Sequence, residues 1–537
     1  MKKKVVLCNP KSNPGAEVEG ILPYNILLLS YLLLQDGYTV ELIDRQLMNL
    51  TDSEIIEKCK NAVCVGISAM TGYQIRDGIK VTDLVKEIYP NMPLIWGGAH
   101  PSLLPAETLA YKNIDIVVIG QGTFVLQELV NCIYYKKGIS EVRGIAYKLS
   151  DGKIITNQRR KFENIENFQG YPFEILEIDY KTKKWSVIQY NSSEGCPWRC
   201  GFCANQIMYN RRWHGFNVEV IIRDIRKLIE FSGLRYIGFL DTNFFVDKNR
   251  TLNFARGLLK GDIGIQWSTS ARSTQILSYS EDELRLLRDS GLINISVGME
   301  SGSDRLLNLM DKDVTAEQNL KCIDANARAS IQTTGLFMIG LPTETLEERN
   351  LTKDSVRSMS IRQFCNFVLS VYTPYPGGKL FDIAVDNGFI PPKSLQEWGD
   401  FTQDKAHVPW LDSDFKWEYD SFIAEIASAD RENDPKICRI VSELNMNNCK
   451  KIIIWGAALT GMLIMNKAQK EKIEVLHFTD GEEKKWNRIW NGLTIRPPLE
   501  SFWNETDAVV IASMGYQNEI RSQIEKLNTK QIKVFGI

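Results

Sequence analysis

Short apolar runs alternate with amphipathic stretches along the first 150 residues of the chain. Five runs have the length and composition of buried strands, at 4–8, 38–43, 62–68, 94–97 and 114–119. Between them, apolar residues recur with the helical period, most clearly at 24–35 and 74–88. This alternation predicts a doubly wound α/β domain over residues 1–145. Ligands bind such sheets beyond the carboxyl ends of the strands, which places the candidate loops at 9–20, 68–72, 97–102 and 120–123.

A second alternating pattern covers residues 185–385. Six further strands are predicted, at 186–190, 236–240, 265–268, 294–297, 334–339 and 366–372. Helical stretches lie between them, notably at 218–231, 280–290 and 317–329. Six β/α units predict either an incomplete barrel or a second open sheet.

The remaining segments are assigned from composition and turn signals. Residues 146–184 are polar and predict a hairpin and linker, and residues 386–445 predict a mostly helical connector. Residues 446–537 predict a small Rossmann-like domain, with a glycine turn from Gly456 to Gly461. Ala458 replaces the middle glycine that close approach of a pyrophosphate requires, and Asp480 is a candidate ribose ligand. We favour a packing or substrate-recruiting role for this domain over nucleotide binding.

Composition and charge narrow the class of protein. The 537 residues contain 64 Lys and Arg against 66 Asp and Glu, so no global field favours nucleic acid or an acidic membrane. The apolar run after Lys4 is too short for a signal peptide. Eleven cysteines at irregular spacings do not form the pattern of a disulfide framework. The sequence therefore predicts a cytoplasmic enzyme.

Three of these cysteines form a tight group after the first strand of the second pattern. Cys196, Cys200 and Cys203 have C-x3-C-x2-C spacing, and no other cysteine follows until Cys322. Three thiolates on an iron–sulfur cubane leave one iron open to a further ligand. A zinc site with His214 as fourth ligand, or three unligated thiols, are the alternatives.

The cysteine loop at the start of an α/β barrel resembles that of the radical S-adenosylmethionine (SAM) enzymes. The resemblance implies a partial (β/α)6 barrel whose three cysteines hold a [4Fe–4S] cluster, with SAM on the fourth iron. It also implies an adenine contact for Phe202. Four later strand ends are similar to the family's SAM-binding motifs. They imply roles for Asp241 at the methionyl amino group, for Arg272 and Glu300 at the carboxylate and ribose, and for Gly340 behind the adenine.

The first domain resembles the cobalamin-binding domain that precedes the barrel in one radical SAM subgroup. The resemblance rests on Val65 to Thr71, Trp96 to Pro101 and Val118 to Thr123. It implies cobalamin contacts from Asn9, Ser68, Met70, Thr71, Gly97, Gly98, His100, Gly120, Gln121 and Gly122. His100 is equally compatible with an ordinary loop position. The histidine motif that ligates cobalt in mutases is absent after Asp44, and Gln121 and Thr123 replace the subgroup's usual acids.

The resemblance implies a cobalamin-dependent radical SAM enzyme of the methylase-like class. Such enzymes cleave SAM to a 5′-deoxyadenosyl radical and transfer a methyl group from methylcobalamin to an unactivated carbon. The substrate is expected to be a small molecule or peptide, and the electron donor a flavodoxin or ferredoxin. Neither a membrane nor a nucleic acid is an expected partner. A cyclase or rearrangement enzyme without methyl transfer, a methylthiotransferase and a non-catalytic cobalamin or redox sensor are the alternatives.

Overall fold

The computed structural model contains two compact units, residues 1–410 and 411–537. It describes residues 3–13, 21–176, 185, 187–402, 408–412, 414–431, 434–457, 459–490, 492–499, 503, 505–513, 517–527 and 532–536. Most of the predicted loop 9–20, the beginning of the strand predicted from Ser186, and Ala458 lie outside these residues. The break between the units falls inside the predicted connector.

The first unit begins with a seven-stranded sheet in the order β2-β1-β3-β4-β5-β6-β7. Its strands are β1 (Lys4–Asn9), β2 (Thr39–Asp44), β3 (Val65–Ser68), β4 (Leu94–Gly97), β5 (Ile116–Val118), β6 (Ile145–Lys148) and β7 (Ile154–Thr156). Its helices are α1 (Tyr24–Gln35), α2 (Asp52–Cys59), α3 (Tyr73–Ile88), α4 (Ala99–Leu103), α5 (Pro105–Ala110) and α6 (Gly122–Tyr134). β1 to β5 are parallel, whereas the hairpin β6–β7 pairs antiparallel and extends the sheet.

The second sheet is fully parallel, in the order β15-β14-β13-β12-β11-β8. Its strands are β8 (Ile188–Tyr190), β11 (Tyr236–Phe239), β12 (Gln266–Ala271), β13 (Leu292–Glu300), β14 (Gln332–Ile339) and β15 (Cys365–Val371). A small antiparallel pair, β9 (Ser193–Gly195) and β10 (Trp213–Gly215), follows β8. β8 and β15 are edge strands of this six-stranded sheet, as a partial (β/α)6 barrel requires. The predicted barrel is confirmed.

Helices of the barrel connect its strands on the outer face, and two more follow β15 in the first unit. They are α7 (Asn205–Met208), α8 (Val218–Ser232), α9 (Lys248–Lys260), α10 (Ser273–Ile276), α11 (Glu281–Asp289), α12 (Asp304–Leu309), α13 (Ala316–Arg328), α14 (Leu346–Ser360), α15 (Lys379–Asp386) and α16 (Leu395–Asp400). Short 3₁₀ turns occur at Phe173–Ile175 and Phe244–Val246. One apolar core runs from Trp96 in the first sheet through Trp398 to Leu341 after β14, so the first sheet and the barrel pack as one body.

The second unit contains a separate sheet in the order β18-β19-β17-β16-β20-β21. Its strands are β16 (Lys451–Trp455), β17 (Glu474–Thr479), β18 (Ile489–Trp490), β19 (Leu493–Arg496), β20 (Ala508–Ile511) and β21 (Lys533–Gly536). Its helices are α17 (Phe415–Arg431), α18 (Pro435–Met446), α19 (Leu459–Lys470) and α20 (Gln517–Leu527), with a 3₁₀ turn at Glu483–Lys485. Apolar clusters cover both faces of the sheet, as expected for a doubly wound fold.

Candidate functional site

The cysteine loop leaves β9 and is fixed at the carboxyl end of the barrel. The backbone N–H of Gly201 donates to the carbonyl of Met310 at 2.7 Å, and the Gly201 carbonyl accepts from Leu380 at 2.9 Å. Cys200 is buried, and Cys196 and Cys203 are half-buried. Burial raises the pKa of Cys196 and raises that of Cys203 to about 11, so a positive centre is needed to hold them as thiolates.

Arg272 supplies positive charge directly beside this loop. Its Nη1 donates to the Sγ atom of Cys200 at 3.1 Å, and its guanidinium lies 4.4 Å from the centre of the Trp198 ring. The side chain is 5% exposed, and its Nε and Nη2 have no hydrogen-bond partner among the described residues. Buried N–H groups are nearly always paired. The arrangement therefore fits an anionic group such as the SAM carboxylate or the cluster.

Glu300 is the last residue of β13 and forms a buried ion pair with Lys312. Lys312 Nζ lies 2.6 Å from Glu300 Oε1, and both side chains are at least nine-tenths buried. The same Nζ lies 5.6 Å from the ring centre of Phe202 in the cysteine loop. Glu300 has a φ of +62° at a register shift in the strand pairing, which turns its carboxylate out of the regular pleat. Phe202, Glu300 and Lys312 are thus brought together beside the cysteines.

Asp241 and Gly340 are held by other contacts. The Asp241 carboxylate accepts from the backbone N–H of Ser192 at 2.9 Å and from the hydroxyls of Ser192 and Ser193. Burial raises its pKa, against the opposing charge of Arg250. Gly340 adopts a φ of +76° and donates its N–H to Glu344 at 2.6 Å. The SAM roles of Asp241 and Gly340 stay predictions.

A cavity of about 540 Å³ lies between the carboxyl edge of the first sheet and the barrel. Seven of the predicted cobalamin residues line it: Asn9, Ser68, Met70, Gly97, Gly98, Gly120 and Gly122. The barrel contributes the opposite wall, with Asn191, Ser193, Glu194, Gly195, Asn205, Met208, Tyr209, Leu240 and Thr242. A single open space therefore contacts both domains, and its volume is in the range of cofactor sites.

Glycine backbone shapes the wall of the cavity on the first sheet. Gly98 has a φ of +95°, and a Cβ atom there would lie 2.8 Å from the carbonyl oxygen of Ala69. Gly120 has a φ of +83°, and its Cβ would lie 3.1 Å from the carbonyl oxygen of Met208. Both positions need glycine. A bare backbone here fits the close approach of a broad, flat ligand such as a corrin.

An amide network lies at the same edge. Asn9 donates to Asp44 at 2.9 Å, and Asn25 donates to the side chains of both Asn9 and Ser68 at 3.2 Å. Asn25 lines the cavity and was missed by the sequence reasoning, because its position early in a predicted helix carried no motif. These amide and hydroxyl groups can bind the amide fringe of a corrin.

The other three predicted cobalamin residues do not line the cavity: they are Thr71, His100 and Gln121. His100 is completely buried, receives or donates a 2.9 Å hydrogen bond with Thr71, and packs edge-on against Trp398. Burial lowers its pKa to about 4, which favours a neutral ring. Gln121 instead donates to Glu194 at 2.8 Å and accepts from the N–H of Glu163.

Glu194 is a second cavity residue that the sequence reasoning missed. It lines the cavity from the barrel side, two residues before Cys196. Burial raises its pKa to about 7, although the hydrogen bond from Gln121 favours the charged form. The Gln121–Glu194 contact links a loop of the first sheet directly to the strand that leads into the cysteine loop.

The zinc alternative finds no support in the geometry. Among the described residues, no group of three or more His, Cys, Asp or Glu side chains converges on a single-ion position. His214 lies in β10 and stacks on Phe162 with ring centres 5.2 Å apart. One zinc needs all its ligands within bonding distance of one point, whereas a cubane binds each cysteine through a different iron. The three-cysteine loop with Arg272 fits the cluster.

At the glycine turn of the second unit, hydrogen bonds form with groups of the same unit. Gly456 has a φ of +118°, and the following N–H, from Ala457, donates to Asp480 Oδ2 at 3.1 Å. The same carboxylate accepts from Glu482 N–H and Lys485 Nζ, each at 3.0 Å. Asp480 is thus engaged by protein groups, and its predicted ribose contact stays a prediction.

Comparison with known proteins gives matches to three family models. Residues 190–356 match the Radical SAM superfamily, residues 16–130 match the B12 binding domain, and residues 448–535 match the C2185-like N-terminal family. Among the described helices, none is long and apolar enough to span a bilayer.

Two relatives each align with about two thirds of the chain. The chain is 28% identical to an uncharacterized methyltransferase of Pyrococcus horikoshii, over 67% of this chain and 79% of that protein. It is 26% identical to the anaerobic magnesium-protoporphyrin IX monomethyl ester cyclase of Rubrivivax gelatinosus, over 70% of this chain and 69% of that protein.

Two solved structures share the fold. The radical SAM methyltransferase TsrM of Kitasatospora setae has a TM-score of 0.61 at 17% identity and covers 72% of this chain and 77% of its own. The cobalamin-dependent SAM radical enzyme OxsB has a TM-score of 0.59 at 21% identity over 67% of this chain, which spans about half (52%) of that protein. These two structures show that the fold is shared. The family-model matches give this chain a Radical SAM domain preceded by a B12-binding domain, and these two domains imply a [4Fe–4S] cluster, SAM and cobalamin as its cofactors.

Proposed function

We propose that this enzyme transfers a methyl group from cobalamin to an unactivated carbon. The observation that carries the proposal is the cavity shared by the first sheet and the barrel. Because one wall belongs to the B12-binding domain and the other to the SAM barrel, a substrate in this space reaches both cofactors. A cobalamin or redox sensor would not require that shared space.

The chain's own residues have separate positioning tasks in this proposal. Cys196, Cys200 and Cys203 hold the cluster, and Arg272 offers two unpaired N–H groups to the SAM carboxylate. The Lys312–Glu300 pair fixes a carboxylate beside Phe202, where it can accept hydrogen bonds from ribose hydroxyls. When bound, the cofactors supply a 5′-deoxyadenosyl radical and a transferable methyl group. Apolar residues such as Leu7, Ile26 and Leu28 form part of the wall of that space.

Cyclisation or rearrangement without methyl transfer is the second candidate. The relative from Rubrivivax gelatinosus is named as a cyclase and aligns over 70% of this chain. The relative named as a methyltransferase aligns at slightly higher identity over a similar length. Both outcomes need the same shared cavity, so the reaction product distinguishes them.

Radical SAM enzymes act on a substrate and need a reductant. We propose a flavodoxin or ferredoxin as the electron donor, because the cluster accepts one electron at a time. We propose that the enzyme works in the reducing cytoplasm, because no disulfide joins the cysteines of the described residues. We propose a small molecule or a peptide as the substrate.

The test is anaerobic cluster reconstitution with hydroxocobalamin, for the wild type and the Cys196→Ala, Cys200→Ala, Cys203→Ala triple variant. We expect about four irons per wild-type chain with one corrin, and retention of only the corrin by the variant. SAM with a trideuterated methyl group then reports transfer by mass spectrometry of the product. A wild-type protein that binds iron but no corrin would contradict the proposal.

A further inference from the structure

The segment after β15 returns from the barrel to the first sheet. It contains α15 and α16, and we call residues 378–401 the strap. Near its beginning, the backbone N–H of Leu380 donates to the carbonyl of Gly201 in the cysteine loop at 2.9 Å. Near its end, Trp398 belongs to the apolar core that includes Ile67 of β3. The strap therefore packs with both the loop of the cluster cysteines and the sheet of the B12-binding domain.

α16 of the strap packs against the loop between β3 and α3. The carbonyl of Trp398 accepts a hydrogen bond of 3.1 Å from the N–H of Gly72. Asp400 forms an ion pair with Arg76 in the first turn of α3. Gly399 lies so close to this turn that a Cβ atom would be 2.8 Å from Arg76 Cγ and 3.2 Å from the Arg76 backbone nitrogen. The contact therefore depends on the absence of a side chain at Gly399.

His100 in α4 connects the strap to a second loop of the first sheet. Its ring lies edge-on to Trp398 with ring centres 5.6 Å apart, and its Nδ1 shares a hydrogen bond of 2.9 Å with the Thr71 hydroxyl. Its backbone N–H donates to the carbonyl of Ala69 at 3.2 Å. Trp398 and His100 are 1% and 0% exposed. Buried contacts thus hold α16 and the loops after β3 and β4 together.

These contacts lie outside the cavity, whereas the loops that they hold form part of its wall. Ser68 and Met70 line the cavity from the loop after β3, and Gly97 and Gly98 line it from the loop after β4. No residue of the strap, all of which the structure describes, lines the cavity. A ligand in the cavity therefore meets backbone whose position depends on contacts that the ligand does not touch.

We propose that Trp398 and His100 are positioning residues for the corrin, and that the strap keeps the loops after β3 and β4 in the conformation that binds it. A protein whose loops are only partly in the binding conformation binds its ligand more weakly by that fraction. Loss of the strap contact should therefore lower corrin affinity although no residue that lines the cavity has changed. The inference concerns cofactor binding and holds whichever reaction the enzyme catalyses.

The first experiment displaces α16 from α3. Gly399→Leu puts a side chain into the contact with Arg76, and leucine is a better helix former than glycine, so α16 itself is not weakened. The full chain with its reconstituted cluster is titrated with hydroxocobalamin and followed optically. We expect corrin affinity to fall about tenfold while the iron content stays at the wild-type value. Gln396→Leu is the matched control, because Gln396 is exposed on the same helix, and it should bind corrin as the wild type does.

Three results of this titration overturn the inference. They are unchanged corrin affinity in Gly399→Leu, an equal loss of affinity in Gln396→Leu, and a wild-type chain that holds iron but binds no corrin. If Gly399→Leu also loses its iron, the second experiment, which leaves α16 unchanged, decides.

The second experiment is a double-mutant cycle on the hydrogen bond between Thr71 and His100. Thr71→Val removes the hydroxyl at nearly constant volume, and His100→Phe keeps an aromatic ring beside Trp398 without Nδ1. We expect each variant to bind corrin about fivefold more weakly, and the double variant to lose no more than one of them, because both remove the same contact. Thr71→Ser keeps the hydroxyl and should retain most of the wild-type affinity. Additive losses would mean that Thr71 contacts the corrin directly and overturn the inference, as do single variants with wild-type affinity.

Hydrogen exchange tests the same link from the side of the corrin. Coupling between two sites is reciprocal, so hydroxocobalamin should slow backbone exchange in residues 393–401 of the wild type. α9 of the barrel is the reference, and less slowing is expected there. Exchange is measured by mass spectrometry with and without hydroxocobalamin at equal iron content. Equal slowing in the strap and in α9, or none in the strap, overturns the inference.

Discussion

The first sheet and the sheet of the second unit are built alike but differ at their strand ends. Both place neighbouring parallel strands in the same central order, β2-β1-β3-β4 in one and β17-β16-β20-β21 in the other. In the first, polar side chains and glycine backbone at these ends line a cavity of about 540 Å³. In the second, the turn at the corresponding strand end forms a hydrogen bond within the unit, from Ala457 N–H to Asp480.

Two acids in equivalent positions show this difference. Asp44 ends β2 and supports the amide of Asn9, which faces the cavity. Asp480 follows β17 and engages Ala457 N–H together with Lys485. The carboxyl edge of a doubly wound sheet can bind a ligand. The loop residues decide whether it does: at the first sheet they line a cavity, and at the second they form hydrogen bonds with one another.

The largest expected effect comes from Gly98→Ala. A Cβ there meets the carbonyl oxygen of Ala69 at 2.8 Å and its nitrogen at 2.9 Å, at a φ of +95°. The loop must shift into the cavity wall, so we expect corrin affinity to fall about 100-fold, or about 2.7 kcal/mol. Titration of the protein with hydroxocobalamin, followed optically, measures the change.

Two alanine variants separate this effect from backbone strain. Gly37 has a φ of +79° with no atom within 4 Å of its Cβ position, and Gly456 has a φ of +118° with Ala512 at 3.5 Å. Each carries the strain of a positive φ, about 1–2 kcal/mol, without the clash. Both variants should bind corrin normally. A loss of corrin binding in the Gly456 variant would contradict the conclusion that the corrin binds at the first sheet and not at the second.

A pH-dependent effect is expected at Asp224, a buried acid of α8 in the first unit. It accepts from Tyr171 N–H at 3.2 Å and from the Tyr190 hydroxyl at 3.0 Å, and burial raises its pKa to about 6. The folded state then holds a proton more tightly than the unfolded state. Stability is therefore fully present below about pH 4 and is lost as the pH rises to about 6.

Asp224→Asn removes this titration while keeping the shape of the side chain. Relative to wild type, the variant should gain about 2 kcal/mol between pH 4 and pH 7. Urea unfolding at both pH values measures this difference. A constant difference between the two proteins would mean that Asp224 is charged throughout, like an acid with a close buried cation.

The smallest effect is expected for Asp480→Asn in the second unit. The variant keeps an acceptor for Ala457 N–H and loses the charge that faces Lys485, a partly exposed pair. We expect about 1 kcal/mol of lost stability, decreasing in high salt. Thermal unfolding measures it, and unchanged iron and corrin content would sharpen the contrast with Gly98→Ala.

Much of the fold was predictable because its strands and helices carry strong periodic patterns. α1 begins and ends at the predicted residues, and β4 does as well. The predicted hairpin within 146–184 is present as β6 and β7, but the sequence did not show that its strands extend the first sheet. Pairing between distant strands depends on the tertiary structure rather than on the local pattern.

The candidate site was predictable where a motif marks the residue. The cysteine loop and Arg272 are together, and the glycines of the first sheet line the cavity. Lys312, Glu194 and Asn25 were not found, because each reaches the site from a segment without a recognisable pattern. His100 was predicted beside a cofactor, yet it lies buried against Trp398, and sequence alone does not tell which face of a short helix carries it.

The shared cavity also bears on how this enzyme can be recombined with its relatives. The first sheet and the barrel each supply one wall of the cavity. Exchanging the first sheet alone would therefore combine two walls from different proteins, and it would put the Gln121–Glu194 hydrogen bond at risk. Residues 1–410, which form one compact unit, are therefore the natural unit of exchange.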